Sequence, residues 1–374
     1  MSTIQSRFSE SNFFKRLDLN LVTVILVLNV IGLINLYSAT HGITESINTR
    51  LFWQQLVWIL VGWGVFFAVT LSNYQMLRRF AWPIYIVNLI ALLLTDLMGR
   101  TYYGAQRWLD LGFFRYQPSE TMKVALVLVF CRYLSSVQNN NGLTLRQLII
   151  PGLATLFPVA ITIDQPDLGT GLLLLGIAVA ILFFVKVRTW IVIAALASLL
   201  IAVPVMWSVG LKEYQKNRVL TFLSPGRDPR GTGYNSIQSK IAVGSGRFLG
   251  KGFRKGTQSQ LEFIPERHSD FIFSVLSEEH GFVGSVASVG LFIVMFLTII
   301  RIASQARDRF GTLIVVGVMS IMFLHVIINI GMVIGLLPIV GVPLPLLSYG
   351  GSSMLTTMAA LGLISSVAYR RYLF

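Results

Sequence analysis

Ten stretches of almost unbroken apolar residues divide the chain, at about 19–39, 51–71, 80–98, 118–136, 147–163, 168–185, 189–210, 281–300, 312–335 and 350–369. Each has the ~17–25 residues that an α-helix needs to cross a bilayer. None alternates apolar and polar positions as the strands of an outer-membrane barrel do. The pattern predicts an all-α polytopic membrane protein with ten transmembrane helices, forming one membrane domain over 1–374. The polar tail ahead of the first stretch lacks the apolar centre of a cleavable signal peptide, so none is expected. No internal repeat, low-complexity tract or soluble second domain is evident.

One segment breaks the pattern. Residues 211–270 form a polar connection between spans seven and eight, with eleven Lys/Arg against five Asp/Glu. Tyr214, Phe222, Tyr234, Phe248, Phe253 and Phe263 are candidate anchors within it, and its eight glycines imply tight turns. Long connections in compact proteins are functional or disordered; this composition predicts an ordered cap.

Composition sharpens the class. Hydrophobic residues make up 54% of the chain and charged residues 12%, against roughly a quarter charged in soluble domains. A soluble enzyme and a disordered chain are both excluded. A single cysteine, Cys131, and four histidines exclude a disulfide framework and argue against a Cys/His metal cluster. The net charge of +14 on so apolar a chain points to anionic lipid or phosphate partners and not to nucleic acid.

Charge also sets the orientation. Arg7, Lys15, Arg16, Arg78, Arg79, Arg132, Arg146, Lys186, Arg188, Arg301, Arg307, Arg309, Arg370 and Arg371 flank the spans on one side. The short connections of the other side hold Arg50, Arg100, Arg107 and Arg115. The positive-inside rule then predicts both termini in the cytoplasm and the 211–270 connection outside, long loops being exempt from the count.

Four polar constellations are candidates for chemistry. The densest runs from Gln258 to Ser274 and includes Glu262, Glu266, Arg267, His268 and Asp270. A helix starting near Ser269, with Ser269 as N-cap, would align Asp270, Ser274, Ser277, Glu278 and Gly281 on one face of an amphipathic interfacial helix. With Lys251, Arg254, Lys255 and Arg267 nearby, it is either a solvated helix start or a place where cations hold a pyrophosphate while a carboxylate takes a proton. The second constellation, Gly104 to Gly112 and Gln117 to Lys123, holds Arg107 and puts Glu120 and Lys123 three residues apart inside a span. Such charges face a cavity or a partner, as a structural ion pair, a functional one, or both. In the third, Asp164 to Gly171, Asp167 is either a helix cap or a site residue. The fourth, Pro338 to Ser353, has three prolines that preclude a continuous helix. It predicts a re-entrant or interfacial elbow in which Ser348 and Tyr349 satisfy freed backbone groups or meet substrate. His325 and Asn329, four residues apart in the ninth span, suggest interhelical hydrogen bonds.

These motifs, in this order, resemble the SEDS family of bacterial cell-wall proteins (shape, elongation, division and sporulation). The likeness rests on Arg107-Trp108, Gln117-Pro118-Ser119-Glu120, Gln165 to Gly171, Pro265 to Phe273 and Tyr349 to Ser353. Gly250 to Phe253, Gly256 to Phe263 and Val342 to Pro345 are similar to its elongation branch more than to its division branch. Two departures are Ser269, where the family usually has Thr, and Arg247, where a second glycine after Gly246 is common. The resemblance implies an inner-membrane peptidoglycan glycosyltransferase that polymerises lipid II at the outer face of the membrane. It implies a class B penicillin-binding protein and other elongation-complex membrane proteins as partners, and dependence on a divalent cation, Mg or Mn, with no organic cofactor. Carried over by position, the essential carboxylate is Asp270 and the charged pair is Glu120 and Lys123. Arg107, Asp167, Lys255, Glu266, Arg267 and Ser348 complete the expected substrate-binding set. A lipid II flippase and a non-catalytic scaffold are the other readings.

Overall fold

The computed structural model describes residues 16–40, 49–98, 100–102, 105–110, 112, 115–137, 141–210, 213–224 and 232–371. The tail carrying Arg7 and Lys15, on which part of the orientation argument rests, lies outside the described residues, as do Gly104 and 225–231 of the polar connection.

Every predicted apolar stretch is a helix. In chain order these are α1 (Leu19–Thr40), α2 (Thr49–Leu71), α3 (Tyr74–Met98), α4 (Pro118–Ser136), α5 (Leu145–Asp164), α6 (Leu168–Val185) and α7 (Thr189–Val205). The polar connection contributes α8 (Glu213–Leu223), α9 (Thr232–Ser245) and α10 (Thr257–Gln260), and α11 (Ile272–Ser304), α12 (Arg309–Val333) and α13 (Gly351–Arg370) follow. Among the described residues, nine helices are long and apolar enough to cross a membrane. The tenth predicted span, α4, is the least apolar because it carries Glu120, Lys123 and Arg132, and it is the one most enclosed by protein. It packs on α3, α5, α6, α12 and α13, and Met122, Ala125, Leu126, Phe130, Cys131 and Leu134 are fully buried along it. Charges survive at this depth because protein, not lipid, surrounds them. At the other extreme is α7, in which only Ile191 is buried. A helix apolar all round with no buried face is one solvated by lipid.

The expectation of an all-α chain needs one correction. Between α3 and α4 lies a small antiparallel sheet, β1 (Arg100–Tyr102), β2 (Ala105–Asp110) and β3 (Arg115–Tyr116), in spatial order β1-β2-β3. Its register pairs Thr101 with Gln106 and Asp110 with Arg115. Strands this short are invisible to a pattern read over span-length windows, yet this sheet carries Arg107.

The start of α11 also departs from expectation. The helix begins at Ile272, and its N-cap position, Phe271, makes no side-chain cap bond. Ser269 is not the cap: its hydroxyl donates to Glu266 Oε2 at 3.0 Å. The first turns are not amphipathic at an interface either, since Ile272 through Glu279 are buried on every side. The polar connection folds over them. Glu278, with its carboxylate fully buried, accepts from Lys251 Nζ at 2.7 Å, Gln258 N at 2.9 Å and Ser259 N at 3.1 Å. Ser239 of α9 meets Ser274 at 2.9 Å. The cap is therefore ordered mainly by backbone and carboxylate bonds, and its aromatics Phe248, Phe253 and Phe263 stay exposed.

At Gly281 (φ 64°, ψ −158°) α11 breaks, in a backbone region essentially reserved for glycine. The break orphans carbonyls before it and N–H groups after it, and the connection supplies both partners. Lys251 N and Gly252 N donate to Glu278 O and Glu279 O, while Phe282 N and Val283 N donate to Arg247 O and Phe248 O. Arg247 takes a positive φ of 51° with its side chain exposed. A Cβ at Gly281 would lie 2.2 Å from Gly250 N and 2.7 Å from Phe248 O. Gly281→Ala should therefore lower stability by roughly 2 kcal/mol or more, read as a fall in the thermal unfolding midpoint in detergent.

The proline-rich segment 338–350 is non-helical, as its prolines require. Its residues Val342, Leu344, Leu346 and Leu347 are buried, and it presses so close to α1 that a Cβ at Gly32 would lie 2.7 Å from Leu346 O.

Candidate active site

Residues from all four polar constellations meet around Asp270. The chain reaches this residue through a turn at Glu266, whose φ of 53° lies in the left-handed region and whose carbonyl accepts from Ser269 N and Phe271 N. Asn329 of α12 donates to Asp270 O at 2.8 Å and to Val342 O at 2.7 Å, so one side chain ties the Asp270 backbone to the proline elbow. Ser348 adds a second tie. Its hydroxyl donates to Ser269 O at 2.6 Å and accepts from Leu344 N at 2.8 Å, and Tyr349 N donates to His268 O at 2.9 Å. Both serine bonds go to backbone, the structural one of its two readings.

The Asp270 carboxyl itself is bound by nothing among the described residues. Its Oδ2 lies 3.2 Å from where a Cβ on Gly341 would sit, so the glycine leaves the approach open. Burial, first, and the nearby Glu266 charge push this carboxyl up from 3.8 to about 7; Asp167 adds to the rise and Arg107 opposes it. Two carboxylates close together resist double ionisation. The group is thus poised between its two protonation states at neutral pH, while part of the residue stays open to solvent.

Arg107 on β2 is the cation whose field reaches Asp270. Its Nη1 is 3.7 Å from Asp167 Oδ1, and its guanidinium also donates to Pro166 O. The Nε of Arg107 is buried with no partner among the described residues, a spare donor aimed away from bulk water. Asp167 does cap α6, accepting from Thr170 N at 3.3 Å and Thr170 Oγ1 at 2.8 Å, and holds Arg107 as well.

The polar connection contributes less charge to Asp270 than expected. Arg267 donates from Nε to Ala39 O at 2.7 Å and from Nη2 to Glu262 at 2.8 Å, which pins the connection to the end of α1. Lys255 is exposed, with no side-chain partner among the described residues. Neither is among the charges that act on Asp270. Burial holds the His268 ring below its usual value of 6.5 although Glu266 opposes this, so the 3.5 Å approach of His268 Nε2 to Glu266 is not an ion pair at neutral pH.

The charged pair of the second constellation lies deeper. Lys123 Nζ is 2.8 Å from Glu120 Oε1 and 2.8 Å from His325 Nε2, with Lys123 1% exposed and Glu120 5%. His325 Nδ1 sits 2.8 Å from Ile321 O. A carbonyl only accepts, so the ring proton belongs on Nδ1 and Nε2 accepts from the ammonium. His325 thus makes the interhelical bond that its spacing suggested, whereas Asn329 bonds to the non-helical backbone at Asp270 and Val342. One turn of α12 joins the buried charges to the residue that holds Asp270.

One participant was not legible as a site residue: Gly341, unremarkable within a Pro/Gly-rich run; Glu278, expected on one face with Asp270, instead staples the cap through its buried carboxylate. Among the described residues no three His, Cys, Asp or Glu side chains cluster as a metal cage.

Comparison with known proteins places this architecture. The chain is 43% identical over 294 residues to the Escherichia coli (strain K12) protein named peptidoglycan glycosyltransferase MrdB, covering 77% of each chain. It is 32% identical to peptidoglycan glycosyltransferase RodA of Treponema pallidum, over 95% of this chain and 98% of the relative. A solved chain described under the structural coordination of polymerization and crosslinking by a peptidoglycan synthase complex superposes with a TM-score of 0.82 at 30% identity, covering 96% of this chain and 99% of that one. The profile of the FTSW_RODA_SPOVE family, described as cell cycle protein, matches residues 18–373. With a profile spanning the described bundle and relatives aligned along most of it, the chain belongs to the FtsW/RodA/SpoVE family.

Proposed function

We propose that this chain is a peptidoglycan glycosyltransferase of cell elongation and rod-shape maintenance, polymerising lipid II beside a class B penicillin-binding protein. The observation that carries the reading is Asp270, an unbonded carboxyl held near neutral pKa beside a cation with a spare buried donor. A carboxylate of ordinary pKa is a weak base at pH 7; burial and Glu266 remove that objection. In the reaction, a sugar hydroxyl of one lipid-linked glycan attacks the anomeric carbon of another. The new C–O bond forms as the bond to the lipid pyrophosphate breaks, with inversion, and the hydroxyl proton passes to Asp270. Arg107 is placed to bind the departing pyrophosphate, where charge develops in the transition state, and exposed Lys255 to meet substrate at the rim. Glu120 and Lys123 hold α4, and through His325 and Asn329 the Asp270 backbone, in register.

The divalent cation implied by the family fits this site only as an ion shared with substrate. Mg²⁺ is commonly held by one or two carboxylates plus substrate phosphates, without an all-protein cage. Glu266, partly exposed and close enough to act on Asp270, is the carboxylate placed to hold it, and there the ion would neutralise pyrophosphate charge. Ten spans, cytoplasmic termini and a periplasmic or exterior active site complete the proposal, the Lys/Arg bias being its support.

Incubating purified protein with lipid II and resolving glycan chains on a gel tests the assignment; a flippase or scaffold makes none. In metal-free protein the Asp270 carboxyl should titrate near pH 7, read as the pH dependence of the unfolding midpoint. Glu266→Gln removes a charge that raises Asp270, so this titration should move to lower pH. A titration that stays in place, or moves up, would assign it to another group.

A further inference from the structure

The end of the bundle away from Asp270 holds a cavity of about 510 Å³ lined by Gln75, Arg78, Arg79, Arg132 and Ser136. It sits where the first turns of α3 meet the last turns of α4. Three of its five lining residues are arginines and none is acidic.

One of these arginines is locked before any ligand arrives. Arg132 Nη1 donates to Arg78 O at 2.7 Å and to Arg79 O at 2.9 Å. Pro83 lies four residues after Arg79 inside α3 and has no N–H, so the Arg79 carbonyl lacks its helical donor. Arg132 supplies it, and the fixed fork keeps its remaining N–H groups for an anion. Arg78 and Arg79 are exposed, and their side chains have no partner among the described residues. Positive charge on this face follows from the positive-inside rule alone. Its concentration in one cavity, around a guanidinium anchored on a proline-orphaned carbonyl, does not.

The rim has a second character. Met76 and Phe80, on the same turns of α3, are 60% and 46% exposed, an apolar helix face that flanks the arginines. A basic pocket between helices at the cytoplasmic boundary is suited to an anionic lipid headgroup. We propose that this cavity binds the phosphodiester headgroup of an anionic phospholipid of the bilayer, with its acyl chains lying along Met76 and Phe80. Free phosphate or an acidic peptide would match the arginines and leave the apolar rim unused. Assignment to the cytoplasmic leaflet rests on the orientation proposed above.

The test uses the full chain in nanodiscs of phosphatidylcholine with or without phosphatidylglycerol, lipid retention being read by native mass spectrometry. Delipidated protein is titrated in parallel with short-chain phosphatidylglycerol, short-chain phosphatidylcholine and glycerol phosphate. Both leaflets of a nanodisc are alike, so the readout does not depend on orientation, and a wrong topology and a missing site separate. Wild-type protein should retain phosphatidylglycerol selectively. Arg78→Gln/Arg79→Gln should weaken its binding by about tenfold or more, while Lys186→Gln/Arg188→Gln, which removes as much charge from the same face, should change it by less than about twofold. Arg132→Lys keeps the charge without the fork and should fall between wild type and the double variant. Equal losses in the two charge-neutralised pairs would reduce the effect to general surface potential. Glycerol phosphate or an added acidic peptide binding as tightly as the lipid would also overturn the proposal.

Discussion

Asp270→Asn should yield an inserted, folded protein that makes glycan strands at least ~10²-fold more slowly than wild type, the scale expected when a general base is lost. Asparagine keeps the shape of the side chain, and the Asn329 and Ser348 ties to this segment go to backbone carbonyls that the substitution leaves in place. Stability should not fall, and its pH dependence gives an independent check. Burial raises the Asp270 carboxyl from 3.8 to about 7, so the folded protein binds this proton more tightly than the unfolded chain does. The stability linked to that proton is fully present below the unfolded value and is lost as pH rises through the folded value. Asparagine has no such loss. The variant should therefore gain on wild type between pH 3.8 and about 7, measured as the difference in unfolding midpoint. Asp270→Glu should recover little activity, because displacing a catalytic group by about an ångström costs ~10²-fold by itself. Near-normal polymerisation by the Asn form, with matched protein and divalent cation, would move the base elsewhere, with Glu120 the next candidate.

The buried charges should give the largest stability effects. Lys123→Met leaves Glu120 uncompensated at 5% exposure, and Glu120→Gln leaves Lys123 with only the neutral His325. Breaking a buried pair by removing one partner costs roughly 3–5 kcal/mol. Each single variant should thus fall out of the monodisperse peak in size-exclusion chromatography far more than the double variant Glu120→Gln/Lys123→Met, which buries no lone charge. The exchange Glu120→Lys/Lys123→Glu separates structure from function. It restores a pair but takes the ammonium away from His325, so folding should return while polymerisation stays low. Full activity in the exchanged protein would make the pair purely structural.

Much of the fold is readable along the chain because lipid imposes one rule on every segment. A backbone without water must satisfy its own hydrogen bonds, so apolar runs of sufficient length become helices. That is why α6, predicted at 168–185, has the bounds Leu168–Val185. It is also why the break at Gly281 falls where the eighth span was expected to begin. The start of α11 was misplaced for the opposite reason. Ser269 has the chemistry of an N-cap, but Glu266 takes its hydroxyl, and no local rule ranks two partners that a turn brings together.

The candidate site divides in the same way. Asp270, Arg107, Asp167, Glu120 and Lys123 stand out in sequence because charge at the edge of or inside a membrane is costly and so is placed for a reason. Their grouping is not sequence information: Arg107 and Asp167 meet at 3.7 Å because a three-stranded sheet, too short to show as a pattern, lays one beside the other. The sequence by itself determined the helical membrane class, the course of the apolar helices and the proline elbow, since each follows from the solvation of a segment and its nearest neighbours; the identity of the candidate carboxylate came from the family resemblance. Only the tertiary structure decided that Arg107 and not Arg267 acts on Asp270, that Glu278 is a staple, and that the Asp270 carboxyl is raised toward neutrality. Those outcomes depend on distance and dielectric between segments far apart in the chain, and both are set when the helices pack.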